Sequence, residues 1–277
     1  MRTESRSLVC FFLVACVPPW IGWSLLRFGV LPSDGAWQAL YLTGWGASAA
    51  GLTSTYLEEG PSGVRRLLKA AVRFSVPLRW WLFALLVPVL VTAGSTLCYV
   101  AASGNVVGFE PSRFLVLVAP PMLITFFLGP FGEEFGWRGY LLPRFVKTLP
   151  ALQAVILVGV IWAGWHWPLL YQGFVDAPGR ELATIVAGIT YMSLVIGTVY
   201  LRSNSLFLAM LMHWEINGVR DLSNQIFPGL PAGNDPLLQW CSVAASLGIA
   251  ALATPTLLAA ASVKQRSADR KTGSTTA

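Results

Sequence analysis

Apolar runs about as long as a bilayer is thick recur from one end of this chain to the other. They lie near 7–29, 36–55, 80–103, 114–135, 151–170, 182–201, 205–220 and 236–262, and a helix needs about 20 residues to cross the hydrocarbon layer. No water is available there to satisfy backbone N–H and C=O groups, so each run is expected to be helical. The second run is rich in Gly, Ser and Thr, and the seventh is short. Charged residues make up only 12% of the 277 residues, about half the roughly 25% of a soluble domain. That balance excludes a soluble enzyme, a disordered chain and a nucleic-acid-binding domain. The expected fold class is all-α: a polytopic membrane helical bundle of about eight transmembrane helices. Residues 1–263 form a single transmembrane domain in this reading, and the polar segment 264–277 is a disordered cytoplasmic tail.

Charge sets the orientation. The net charge is +6, but the basic residues sit in short segments between the apolar runs, where they decide which loops stay in the cytoplasm. With the N-terminus inside, 14 of the 19 Lys and Arg fall on the inner side, against four (Arg27, Arg113, Arg180 and Arg220) on the outer, with Arg138 left within the membrane. Both termini are therefore expected in the cytoplasm, and the short loops suggest a bacterial cell membrane. The segment 64–76, VRRLLKAAVRFSV, reads as an amphipathic helix whose basic face suits anionic membrane lipid. The first run lacks a small-residue cleavage site and is read as a retained span, kinked by Pro18 and Pro19. Cys10, Cys16, Cys98 and Cys241 lie inside apolar runs without metal-type spacing, so they are read as small buried hydrophobes.

Charged or titratable groups inside a membrane are costly, which makes each a functional candidate. They are few: Glu133, Glu134 and Arg138 end the fourth run, His166 lies in the fifth, and His213, Glu215 and Asn217 lie in the seventh. The chain has only two histidines, and both fall in membrane segments. If the fourth helix continues unbroken past the glutamates and turns at Pro150, an antiparallel hairpin sets Glu133 level with His166. Glu134 and Arg138 are i, i+4 with the acid first, the favourable order for a helical ion pair. A buried arginine needs such a partner, so this pair is expected to support the architecture. Glu133 points about 100° away and is left free for chemistry. Trp162 and His166 share one helix face, as do His213 and Asn217. Glu215 lies nearly opposite His213 and is expected to face a neighbouring helix or loop.

A carboxylate enclosed beside a neutral histidine can take a proton from a water held between them. His213 and Asn217 offer donors for an oxyanion. In this reading Glu133, His166, His213 and Asn217 are the catalytic set for hydrolysing an amide within a membrane. Alternatively, Glu133, His166 and His213 could hold a divalent metal such as zinc with one position open for water. Residue types alone leave both open, and neither HExxH nor GxSxG is present. A proton-coupled transporter or a non-catalytic peptide-binding or bacteriocin-immunity protein could also use such a cluster, although no inverted repeat is visible.

Three stretches together resemble a known family. Glu133-Glu134-Phe-Gly-Trp-Arg138 is similar to its EExxxR motif, Trp162-Ala-Gly-Trp-His166 to FxxxH, and His213-Trp-Glu-Ile-Asn217 to HxxxN. Their order and separations, over about residues 114–220, resemble the CPBP family of CAAX proteases and Abi bacteriocin-processing proteins. The departure is Trp162, where the family usually has Phe. The resemblance implies an eight-helix intramembrane endopeptidase, with a peptide or protein as substrate and a site opening towards the cytoplasm. Eukaryotic relatives remove the last three residues of prenylated proteins. Carried onto this chain, Glu133 would activate water with His166 assisting, His213 and Asn217 would form the oxyanion site, and Glu134 and Arg138 would support it. The family is named for metalloproteases, yet a glutamate-dependent mechanism needs no zinc in contact with substrate, and metal-independent chemistry is the favoured expectation.

Overall fold

A computed structural model describes residues 2–30, 44–168, 182–231 and 235–273. Among them no strand occurs. The elements are α1 (Arg2–Arg27), α2 (Gly46–Ala71), α3 (Leu78–Ser103), a 3-10 stretch (Pro111–Val118), α4 (Pro120–Leu128), α5 (Pro130–Glu134), a π-helical segment (Phe135–Leu141), α6 (Leu142–Thr148), α7 (Ala151–Trp165), α8 (Leu182–Ser203), α9 (Leu206–Asp221), α10 (Ser223–Ile226) and α11 (Pro236–Gly273).

The chain is an all-α integral membrane bundle. Its outer surface fits hydrocarbon: α1 exposes Val9, Leu13, Val17 and Ile21 at four-residue spacing, and α3 exposes Leu82, Leu86, Leu90 and Leu97. Leaving such side chains in water forgoes roughly 1.5–3 kcal/mol each. The count of eight full spans is not what the described residues contain. Three helices are long and apolar enough to cross, Ser5–Leu26, Leu78–Ser103 and Leu182–Ser203, or four if the bent pair Pro111–Leu117 and Met122–Thr148 is one span. Ala151–Trp165 and Pro236–Leu252 are apolar but shorter. Residues 31–43 and 169–181, which carry parts of the expected second and fifth spans, lie outside the described residues.

Local chemistry explains where the expected helices break. The fourth run is interrupted at Ala119, extended at φ −67° and ψ 146° before Pro120, and again at Gly129, at φ −103° and ψ −89° before Pro130. Proline cannot donate to the preceding turn and pushes the residue before it out of the helical region. In α1 the prolines do not end the helix. Pro19 lacks the N–H that would bond the Ala15 carbonyl, and the Trp165 indole N–H donates to that oxygen instead, at 2.6 Å. A neighbouring helix thus satisfies the group that proline orphans, as a bilayer requires.

Small residues in the second run mark an interface. Ala47, Ser48, Ala50, Gly51, Ser54 and Thr55 of α2 are buried. A Cβ on Gly51 would fall 2.5 Å from the Phe135 carbonyl oxygen, and one on Gly136 would fall 2.2 Å from that of Ala47. Helices in lipid gain their attraction from such close approach, so the weak hydropathy of this run reflects packing against the π-helical segment. Helix α2 then bends at Gly60, φ 63° and ψ −158°, a backbone region essentially reserved for glycine. It continues through the first part of the basic segment read above as a helix over 64–76 and ends at Ala71, so residues 72–76 are not helical. At the other end of the chain α11 runs on to Gly273, past the boundary at 263 where disorder was expected. Adding Ser, Lys, Gln, Ala and Arg to a formed helix needs no new nucleus. Residues 274–277 lie outside the described residues.

Candidate active site

The diacid lies at a change of helix type. Glu133 and Glu134 close α5, and Phe135–Leu141 follow as π-helix with all seven residues buried. Such segments carry i→i+5 bonds and occur disproportionately at functional sites. The unbroken fourth helix assumed for the hairpin is therefore corrected. Because each π turn holds more residues, Glu133 meets Trp162, one turn before His166, at the level where the even hairpin would have placed His166.

Glu133 is 9% exposed and has no cation partner among the described residues. Its Oε2 accepts from the Trp162 indole N–H at 2.6 Å and from that of Trp137 at 3.3 Å. Its Oε1 accepts no hydrogen bond from a described residue. Glu134, by contrast, is fully enclosed, and its Oε1 accepts from Arg138 at 2.9 Å and from His213 Nδ1–H at 2.8 Å. Arg138 is itself 0% exposed, and its guanidinium lies 4.5 Å from the Trp162 ring centroid, a cation–π contact. The two neighbouring glutamates thus have different direct partners, two indole N–H groups for Glu133 and two basic side chains for Glu134.

Trp162 is the hub. Its ring stands edge-on to His213 at 5.0 Å between centroids and lies 5.9 Å from that of His166. His166 caps α7 and its Nδ1–H donates to the Trp162 carbonyl at 2.9 Å. The Trp165 ring, 4.8 Å from His166, packs against Trp137 and Trp23. Both histidines therefore have Nδ1 committed and Nε2 left over. Asn217, one turn after His213 on α9, is half-buried and hydrogen-bonds to no described residue. The structure therefore gathers Glu133, Glu134, Arg138 and His213, with His166 beside them on the hub. Glu215 is buried, and its Oε2 has no partner among the described residues; it bonds to none of these groups.

Three contributions were not read from the sequence: the indole donors of Trp137 and Trp162, the anchoring of α7 through Trp165, and the bond from His213 to Glu134. A signal existed for the first, because Glu133 and Trp137 are i, i+4. The link between His213 and Glu134 spans 79 positions and had no local signal.

Among the described residues no three His, Cys, Asp or Glu side chains are gathered as a metal site. Glu133 faces two indole N–H groups through Oε2, and His213 faces Glu134 through Nδ1.

Residues 115–219, the span that holds this whole cluster, match the Rce1-like family, described as type II CAAX prenyl endopeptidase. Over that span the chain is similar to CAAX proteases. Over 117 residues it is 32% identical to CAAX prenyl protease 2 of Methanococcus maripaludis, covering 39% of each chain. It therefore matches about two fifths of the length of that curated relative. In the CAAX protease-like core, the three motifs noted above contribute Glu133, Glu134, Arg138, Trp162 and His213 to one network, while α1 and α2 outside the core pack against it through Ala15 and Gly51.

Proposed function

We propose that this protein is an intramembrane endopeptidase in which Glu133 takes a proton from water as the water oxygen attacks a peptide carbonyl. His166 Nε2 steadies the same water. The carbonyl oxygen becomes an oxyanion, met by the Asn217 amide and by His213. His213, its Nδ1–H given to Glu134, donates to the oxyanion from Nε2–H. Collapse of the tetrahedral centre breaks the C–N bond, and the proton held by Glu133 leaves with the amine. No step passes through a metal. Glu134 and Arg138 act as positioning residues, fixing the ring orientation of His213.

One observation supports this most: a buried carboxylate with no ion-pair partner among the described residues, held by two indole N–H groups beside both histidines of the chain. Glu134 is committed to Arg138 and His213, whereas Glu133 accepts only from indole N–H groups among the described residues. The direct test is a cleavage assay on the purified chain in detergent, with a membrane-anchored peptide as substrate. Activity is expected to survive a strong chelator, and complete loss restored by zinc would overturn the metal-free route.

Trp162 gives a second test. Trp162→Phe keeps an aromatic ring against His213 and Arg138 but removes the N–H to Glu133. Loss of a hydrogen bond to a charged group costs about 1.5–3 kcal/mol, so kcat is expected to fall roughly 10- to 100-fold, with a modest fall in Tm from the same lost bond and the smaller ring. Unchanged kcat would show that the indole N–H does not position Glu133.

A further inference from the structure

At one end of the bundle, three segments far apart in sequence close around a cleft of about 590 Å³. The far half of α2 and the residues just after it bring Arg66, Lys69 and Arg73, α6 brings Arg144 and Lys147, and the end of α8 brings Tyr200, followed by Asn204. The charge count assigned all three segments to the cytoplasmic side. Five cations face two carboxylates here. Glu58 pairs with Arg144, which also lies over the Tyr140 ring at 3.4 Å, and Glu59 pairs with Arg66. The Arg66 hydrogen bond holds the Glu59 carboxyl below the usual carboxylate range, so this charge is fixed near neutrality. Lys69, in the last turn of α2, and Arg73, two residues past its end, are both exposed and have no ion-pair partner among the described residues. The excess charge faces a concave site.

An apolar stripe flanks the cleft. Leu68 and Val72, each one position before Lys69 and Arg73, are exposed, as is Phe74. Basic and apolar side chains next to one another at the end of a membrane bundle lie where headgroups meet acyl chains. The floor is fixed: Ser205, the cap of α9, donates its hydroxyl to the Arg73 carbonyl at 2.7 Å, and Arg144 donates to the Tyr140 carbonyl at 2.8 Å.

We propose that this cleft binds the phosphate of an anionic phospholipid headgroup, with Lys69 and Arg73 as its main cationic contacts and the acyl chains along Leu68 and Val72. Basic pockets between helices on the cytoplasmic side are suited to such headgroups. The site is separate from the cluster around Glu133 and does not rest on the proposed hydrolysis.

Native mass spectrometry of the full chain in detergent tests this. Phosphatidylglycerol, phosphatidylcholine and inorganic phosphate are titrated separately into wild type, a Lys69→Gln/Arg73→Gln variant and a charge-matched Arg6→Gln/Arg113→Gln control. At about 1 kcal/mol per basic residue, the double variant is expected to bind phosphatidylglycerol at least about tenfold more weakly. The control should stay within about twofold of wild type, with phosphatidylcholine weakly bound throughout. Equal loss in both variants, or equal affinity for the two lipids, would overturn the site. Displacement of phosphatidylglycerol by inorganic phosphate at comparable concentration would overturn lipid as the source of the anion. Lys69→Glu alone, expected to weaken phosphatidylglycerol at least as much, serves if the double variant melts early.

Discussion

Replacing Glu133 with glutamine is expected to lower peptide cleavage by on the order of 10²–10⁴-fold, the usual contribution of a positioned general base. Glutamine has nearly the same volume, and its amide oxygen can still accept from the Trp162 N–H that now bonds Oε2 at 2.6 Å. The site should therefore stay packed while losing its proton acceptor. Two readings on the same purified sample separate chemistry from folding: peptide products by mass spectrometry, and thermal unfolding in detergent. A melting point near wild type with no product supports the base assignment. Cleavage near the wild-type rate in Glu133→Gln would remove Glu133 from the mechanism, and with it the hydrolytic role given to this pocket.

Arg138→Leu is expected to give the largest loss of stability. Arg138 and Glu134 are paired at 2.9 Å with both side chains at 0% exposure. Removing one partner of a fully buried pair strands the other charge and typically costs about 3–5 kcal/mol. The guanidinium also covers the Trp162 ring, a contact worth roughly 0.5–2 kcal/mol. A marked fall in detergent melting point should follow, together with loss of activity, because Glu134 also holds His213. The double variant Glu134→Gln/Arg138→Leu should recover part of the stability but none of the activity, since the two losses share one interaction. If Arg138→Leu melts with wild type, the pair does not hold this pocket together.

Much of the arrangement was legible in the sequence. Long apolar runs announced a membrane bundle, and the few charged groups inside them marked the pocket, because both facts follow from the cost of polar groups in hydrocarbon. The i, i+4 spacing of Glu134 and Arg138 was enough to foresee their ion pair. The Gly- and Ser-rich second run was harder to interpret: by hydropathy it is a poor span, yet Gly51 and Gly136 are where α2 meets the π-helical segment.

What the sequence determined by itself is everything that depends on neighbours a turn or two away: helices, their apolar faces, and which charged residues needed a partner. What only the tertiary structure decided is which indole meets which carboxylate. Trp162 reaches Glu133 across 29 positions and His213 reaches Glu134 across 79, contacts set by helix crossings and by a π-helical segment that shifts the register. Local periodicity carries no record of such crossings, because they depend on how side chains from separate helices fill shared space.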